Sequence, residues 1–206
     1  MRITAEARKQ TRQKILDCSL ELFRTKGFDE TTSRDIARQA QIANGTLFNY
    51  FPHKEAIVLQ LACDALERTE AAFRKRRREG ADLVEDLFLH VSTGLRQMAA
   101  FRTFVGSALE THLGPATDDA VCEQATAIRL QHIETVSRLI SEHGRDEPLT
   151  ALQLQMYWLL FSGVLAFWAK DSSRKQEDTL ALLDQSMRMF VAWLSEPGGS
   201  ETNPSL

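Results

Sequence analysis

Thr31-Thr32-Ser33-Arg34-Asp35-Ile36-Ala37-Arg38-Gln39-Ala40-Gln41-Ile42-Ala43-Asn44-Gly45-Thr46-Leu47-Phe48-Asn49-Tyr50-Phe51-Pro52-His53-Lys54 is the stretch on which the fold turns. It reads as a short helix, a tight turn and a second short helix. The hydroxyl of Thr32 or Ser33 can accept from a free backbone N–H and so cap the first helix. Ile36, Ala37 and Ala40 recur at helical spacing on one face. Gln41-Ile42-Ala43 makes the turn, with Ile42 as its apolar plug. Asn44 can cap the second helix, which runs to about Phe51 and stops before Pro52. Leu47 and Phe51, four apart, point inward. Gly45, Thr46, Phe48 and Asn49 point away, with Asn44 and Tyr50 at the flanks, and this outer face carries no formal charge. A solvated surface helix ordinarily carries Glu and Lys there. Amides, hydroxyls and an aromatic ring are instead the groups that pair with adenine, with base edges or phosphate, and with a thymine methyl in a major groove.

Working outward, the segment Ala43-Asn44-Gly45-Thr46-Leu47-Phe48-Asn49-Tyr50-Phe51-Pro52-His53-Lys54-Glu55 resembles the recognition helix and following turn of the TetR family of transcriptional regulators. That family's pattern is small-x-Gly-Thr-Leu-Tyr-x-Tyr-Phe-x-x-Lys-Glu. Ile15-Leu16, Leu22-Phe23, Gly27-Phe28 and Thr31-Thr32 match in type and spacing upstream, so the resemblance covers residues 8–69, with the helix-turn-helix at about 32–51. Phe48 departs from it, standing where the family usually has Tyr, and removes a hydroxyl that could reach a phosphate or base.

The resemblance implies an all-α chain of about nine helices. Residues 1–53 form a three-helix DNA-binding domain, residues 54–195 a helical effector-binding and dimerisation domain, and residues 196–206 a disordered tail. It implies a repressor that binds an inverted-repeat operator as a homodimer and is released by a small apolar effector. Thr32, Ser33 and Arg34 would fix phosphate or adjacent bases. Thr46, Phe48 and Asn49, on the face that begins with Asn44 and Gly45, would reach base edges. Tyr50 and Lys54 would hold the backbone.

Charge points the same way. The chain as a whole carries −3, but residues 1–54 hold ten Lys/Arg against six Asp/Glu, while residues 55–206 are net acidic. The positive charge sits with the candidate reading helix. Cys18, Cys63 and Cys122 form no metal or disulfide pattern, which reads as a reduced, cytoplasmic chain. The first residues lack an apolar signal core. The run Met156–Ala169, interrupted by Ser162, is too short to span a bilayer, so no membrane role is expected. Neither a phosphate-cradling Gly-rich loop nor His-Glu-x-x-His nor Gly-x-Ser-x-Gly occurs, so neither an enzyme nor a cofactor is expected.

Helical periodicity fills the rest of the chain. A first helix spans about Glu6–Lys26 and ends at Gly27. A connecting helix runs from Lys54 to about Arg78, where Arg74-Lys75-Arg76-Arg77-Arg78 reads as a solvated, dipole-complementing end. Further helices are expected over 81–99, over 101–114, from Asp118 or Asp119 to about His143, over 149–170 and over 176–195. Given the resemblance to that family, whose members commonly bind a small effector in this part, aromatics and Met on the later helices, Phe88, Met98, Phe101, Phe104, Trp158 and Phe161, suggest a mostly apolar effector cavity, with Glu110, His112 and His132 as polar handles. The last two helices are more apolar than one chain can cover. Leu159, Gly163, Ala166, Leu180, Leu183, Met187, Phe190 and Leu194 are therefore expected to pack against a second copy in a four-helix bundle. The alternative is a helical small-molecule carrier or enzyme, or a protein-interaction module, whose helix-turn-helix does not bind DNA. It predicts no salt-sensitive DNA binding.

Overall fold

The computed structural model describes residues 4–102, 104–105 and 123–196, with side chains of 123–125 excepted. Eight α-helices fall among these residues: α1 (Ala5–Lys26), α2 (Ser33–Gln39), α3 (Asn44–Tyr50), α4 (Lys54–Arg76), α5 (Leu83–Met98), α6 (Glu123–Glu142), α7 (Ala151–Lys170) and α8 (Glu177–Leu194). No strand occurs among the described residues. The short helix expected over 101–114, the start expected at Asp118 or Asp119, Cys122 and the tail from 197 lie mostly or wholly outside them.

Several helices begin where a side chain supplies a partner for their free N–H groups. Thr4 caps α1, and its hydroxyl accepts from Ala7 N–H at 3.2 Å. Asp82 with Glu85 and Thr150 with Gln153 form reciprocal capping boxes at α5 and α7. The ring of His53 accepts from Ala56 N–H at 3.1 Å and caps α4. Gly27 closes α1 at φ +94°, a backbone setting that favours glycine, and its N–H returns to Phe23 O.

Ile15, Leu16, Phe23, Phe28, Ile36, Ala37, Leu47 and Phe51 bury one another in the α1–α3 unit. This core is continuous with that of the carboxy-terminal bundle. There α4 packs along α5 and α6, α5 against α6 and α8, and α7 against α8. Helix α4 therefore serves both parts. Its expected inner face of Ala56, Leu59, Cys63 and Leu66 widens to include Ile57, Val58, Leu61, Ala62, Ala65, Thr69 and Phe73.

The basic run at the end of α4 is not a simple solvated end. Arg77 bonds Asp86 of α5 at 2.6 Å and Glu142 of α6 at 2.5 Å. His143 meets the same Asp86 oxygen at 2.7 Å, and Arg138 links Glu142 to Glu70. The charges thus tie three helices together.

Helix α7 is long and apolar enough to cross a membrane by length and composition, contrary to the length inferred from 156–169 alone. It is nonetheless built into the bundle, with Tyr157, Trp158, Phe161, Val164, Leu165 and Trp168 buried. Its turn into α8 is organised by Asp171, which is buried and accepts from Ser173 N–H at 2.7 Å and from Thr179 N–H and O–H at 3.1 and 2.5 Å. The Thr179 and Ser173 bonds hold its carboxyl well below the usual carboxylate range. A depressed folded value means that this contribution to stability is complete above the unfolded carboxyl pKa of about 4 and is lost as pH falls through the folded value. Thermal unfolding followed across pH 6 to 2 should show a drop below about pH 4 that Asp171→Asn makes shallower. An unchanged slope in the variant would remove Asp171 from the acid response.

Candidate nucleic-acid interface and effector cavity

Helix α2 starts at a full capping box. Thr32 Oγ1 accepts from Asp35 N–H at 3.2 Å, and the Asp35 carboxylate accepts from Thr32 N–H at 3.1 Å. Asp35 also takes Lys26 at 2.5 Å and Arg38 at 2.7 Å. The Lys26 bond, followed by those from Thr32, holds its carboxyl far below the usual range, so it stays charged. Two of the cations counted for this domain are therefore matched internally. Arg34 is exposed and has no partner among the described residues. Ser33 is half-buried beside it.

The turn places Gln41 at φ 56° and leads into α3 through Ala43. Ala43, not Asn44, is the N-cap, and it offers no side-chain bond. The expectation that Asn44 caps the helix is corrected: Asn44 is its first residue, and its amide is exposed. Leu47 and Phe51 are buried as their spacing predicts. Asn44, Gly45, Phe48 and Asn49 are exposed, and Thr46 and Tyr50 half-buried. Phe48 leaves 46% of its surface to solvent. A Cβ added at Gly45 would meet nothing within 4 Å, so the chain's own packing does not require glycine there.

Tyr50 lies under Arg8, with its ring centroid 6.0 Å from the guanidinium carbon, and Arg12 covers Phe51 at 5.0 Å and bonds Gln60. Basic α1 thus runs beside the outer end of α3. Lys54 is different from expectation. Its Nζ donates to Phe28 O at 2.7 Å and Asp29 O at 3.3 Å, and sits 4.3 Å from the centre of the Phe28 ring. The ammonium is engaged by the loop after α1, so a phosphate-holding role is corrected to a clamp between that loop and α4.

Behind this head lies a void of about 30 Å³. Val58, Leu59, Ala62 and Leu66 of α4, Met98 and Val105, Ile128 and His132 of α6, and Trp158, Phe161 and Leu165 of α7 line it. Of the residues named for an effector cavity, Met98, His132, Trp158 and Phe161 line this void. Phe88, Phe101 and Phe104 do not: Phe88 faces a surface cleft with Arg76 and Arg188, Phe101 is sealed in the core, and Phe104 packs on Phe23 and Phe28. Aromatic composition alone does not say which way a ring points. Glu110 and His112 lie outside the described residues. The α4 and α6 walls were missed because their aliphatic residues look like any core stripe.

His132 stacks on Phe161 at 4.1 Å and shares a 2.9 Å hydrogen bond with the Tyr157 hydroxyl. Burial holds it well below the usual histidine pKa. His90, 5.6 Å away, is lowered to about 4, again chiefly by burial. Both rings are therefore neutral near pH 7. His132 Nδ1, His90 Nδ1 and Trp158 Nε1 are buried without a partner. Burial likewise pushes the Cys63 thiol up to about 11 and Cys18 upward, leaving both unreactive. No metal-binding group of three occurs among the described residues.

The dimer stripe divides in two. Leu159, Gly163, Ala166 and Leu180 are exposed, together with Leu152, Met156, Phe167, Leu182 and Met189. Leu183, Met187, Phe190 and Leu194 are buried within the same chain, so their assignment to a partner is corrected. An amphipathic stripe looks alike in sequence whether its own chain or another covers it.

A solved structure of a TetR transcriptional regulator from Rhodococcus sp. RHA1 covers 91% of this chain and 100% of its own, with a TM-score of 0.71 at 17% identity. Thermus thermophilus FadR, solved with lauroyl-CoA, covers 93% and 95% with a TM-score of 0.63 at 23% identity. Among curated proteins, the repressor KstR2 of Rhodococcus jostii is 27% identical over 195 residues, 93% of this chain and 82% of that one. YuxN, an HTH-type regulator of Bacillus subtilis, is 24% identical over 145 residues, 69% of this chain but only 50% of its own length. Residues 15–61 match the description of the bacterial regulatory proteins of the tetR family, and residues 87–197 that of the tetracyclin repressor-like C-terminal domain. With the helix-turn-helix and the bundle behind it both matched, the chain belongs to the TetR family.

Proposed function

We propose that the protein is a cytoplasmic transcriptional repressor that grips an inverted-repeat operator as a homodimer and lets go when an apolar effector enters the bundle. The division of labour follows the head at residues 1–53 and the helical body at 54–195. The observation that carries the reading is the outward face of α3: Asn44, Gly45, Phe48 and Asn49 stand exposed without a charge among them. Gly45 supports it further, because glycine costs a helix about 1 kcal/mol relative to alanine and here returns nothing in packing. A bare backbone at that place suits close approach to a duplex. Thr46 and Asn49 reach base edges and Phe48 a thymine methyl, while Arg34, Ser33 and Tyr50 settle on phosphates. In a twofold pair the two α3 helices lie about 34 Å apart, or further on a longer operator.

The effector reading rests on the carbon-lined void and draws support from FadR, whose structure holds an acyl-CoA. An effector shifts the equilibrium only by its difference in affinity between the two states.

Selection of bound fragments from genomic DNA identifies the operator. On that duplex, Asn49→Ala should cost about 1–3 kcal/mol and relax preference at one base position per half-site. Lys54→Ala, by contrast, should lower the melting temperature, because it removes the clamp on Phe28. If Asn49→Ala weakens all duplexes equally, α3 is not the reading element. If wild type selects no fragment in low salt, the regulator reading fails.

A further inference from the structure

Resting on that reading, we infer that Phe104 is the positioning residue that carries occupancy of the void to the DNA-binding head, and that an uncharged hydrocarbon group pressed behind Val105 is what drives it. The run from Met98 to Val105 has two duties. Met98 and Val105 form part of the void's wall. Phe104, adjacent to Val105, packs into the head, its ring centre 5.2 Å from that of Phe23 edge-on and 5.9 Å from that of Phe28 in a stack. Phe23 and Phe28 meet each other at 5.0 Å, so the three rings form one closed set.

From there a short series of bonds reaches the helix-turn-helix. Thr31 N–H donates to Phe28 O, Thr31 Oγ1 donates to Gly27 O at 2.6 Å, and the next residue, Thr32, caps α2. The Phe28 carbonyl is also held by Lys54, the first residue of α4, whose Val58, Leu59 and Ala62 line the same void. Anything that parts Val105 from α4 therefore pulls on Phe28 from two sides.

The void makes such parting unavoidable. At about 30 Å³ it holds no more than a water or two, far below the several hundred that a ligand fills. Protein interiors do not yield volume without moving their walls. Of the walls, the Met98–Val105 run is the one whose neighbouring Phe104 also packs on the head's Phe23 and Phe28. Among the described residues every lining side chain but His132 and the Met98 thioether is a hydrocarbon or an aromatic ring, and His132 is kept neutral by its burial. Among the described residues a charged group would meet no counter-ion in this void, so the part of the effector that presses on these walls is hydrocarbon.

Ala62→Phe puts such a group into the void without any ligand. On the selected operator duplex, the folded dimer of this variant should bind about tenfold or more weakly than wild type. Adding Phe104→Leu should restore most of that loss, while Phe104→Leu alone should bind within about threefold of wild type. Lauroyl-CoA supplies a second probe: it should release wild type from the duplex and release Phe104→Leu poorly. Should Ala62→Phe fail to fold, Ala62→Leu replaces it with the same expected direction. Undiminished loss in the double variant, or normal binding by the filled variant, overturns the inference while leaving the regulator reading intact. Failure of wild type to bind any duplex overturns both.

Discussion

Leu159→Arg is expected to give a folded monomer that holds an inverted-repeat duplex at least a hundredfold less tightly than wild type. Leu152, Met156, Leu159, Gly163 and Phe167 follow one another at intervals of three and four along the outer face of α7, and α8 adds Leu182 and Met189. Leu159 leaves 42% of its surface to solvent at the middle of this stripe. Gly163 is open as well: a Cβ there would touch nothing, so its own chain gives no reason for a glycine, whereas a second helix approaching closely does. Large contiguous apolar patches mark association sites, and a guanidinium at the centre of one leaves a charge buried without a counter-ion. Two heads joined in one particle bind a two-half-site duplex with a gain set by effective concentration, and a lone head forfeits that gain. Sedimentation gives the mass and gel shift the affinity. Leu183→Arg is the control, because Leu183 is fully sealed inside the chain and its replacement should unfold the protein. A Leu159→Arg protein that remains dimeric would place the interface elsewhere.

Arg77→Ala is expected to cost about 3 kcal/mol of folding stability, read from the shift in urea midpoint at constant slope. Asp86 retains only 1% of its side-chain exposure, and both Nε and Nη2 of Arg77 reach its Oδ2, at 2.9 and 2.6 Å. The pair raises the Arg77 pKa, and Arg77 in turn lowers that of Glu142. Removing the cation leaves Asp86 with His143 alone at 2.7 Å. Because Arg77 is itself one-third exposed, the low end of the range for broken buried pairs applies. Arg77→Ala combined with Asp86→Leu should recover much of the loss, since no uncompensated charge then remains. A single-variant cost under about 1 kcal/mol would show that solvent reaches Asp86 freely.

What the sequence could and could not disclose follows from how far apart the partners lie. Leu47 and Phe51 are legible as inward because both cues, spacing and residue type, sit within one short stretch of chain. The exposure of Phe48, Asn49 and Gly45 follows by subtraction. Lys54 was misread because its carbonyl partners come from a loop 26 residues earlier, and a lysine beside a recognition helix looks the same whichever way its chain bends. Arg77 was taken for part of a solvated end because Glu142 lies 65 residues on. The same blindness hid Asp86, His90 and Thr93, polar residues buried on α5. Phe104 is the instructive aromatic: composition placed it in a cavity, whereas it belongs to the joint between the two halves of the molecule.

The neutrality of α3 has a bearing on how such a protein changes over generations. The nearby cations stand on neighbouring helices, at Arg8, Lys9, Arg12 and Arg34, and not on the surface proposed to meet the bases. Substitutions that retarget the operator therefore leave the counter-ion count, and with it tolerance of a cell's changing electrolyte, untouched. The address can drift while the adhesive stays the same.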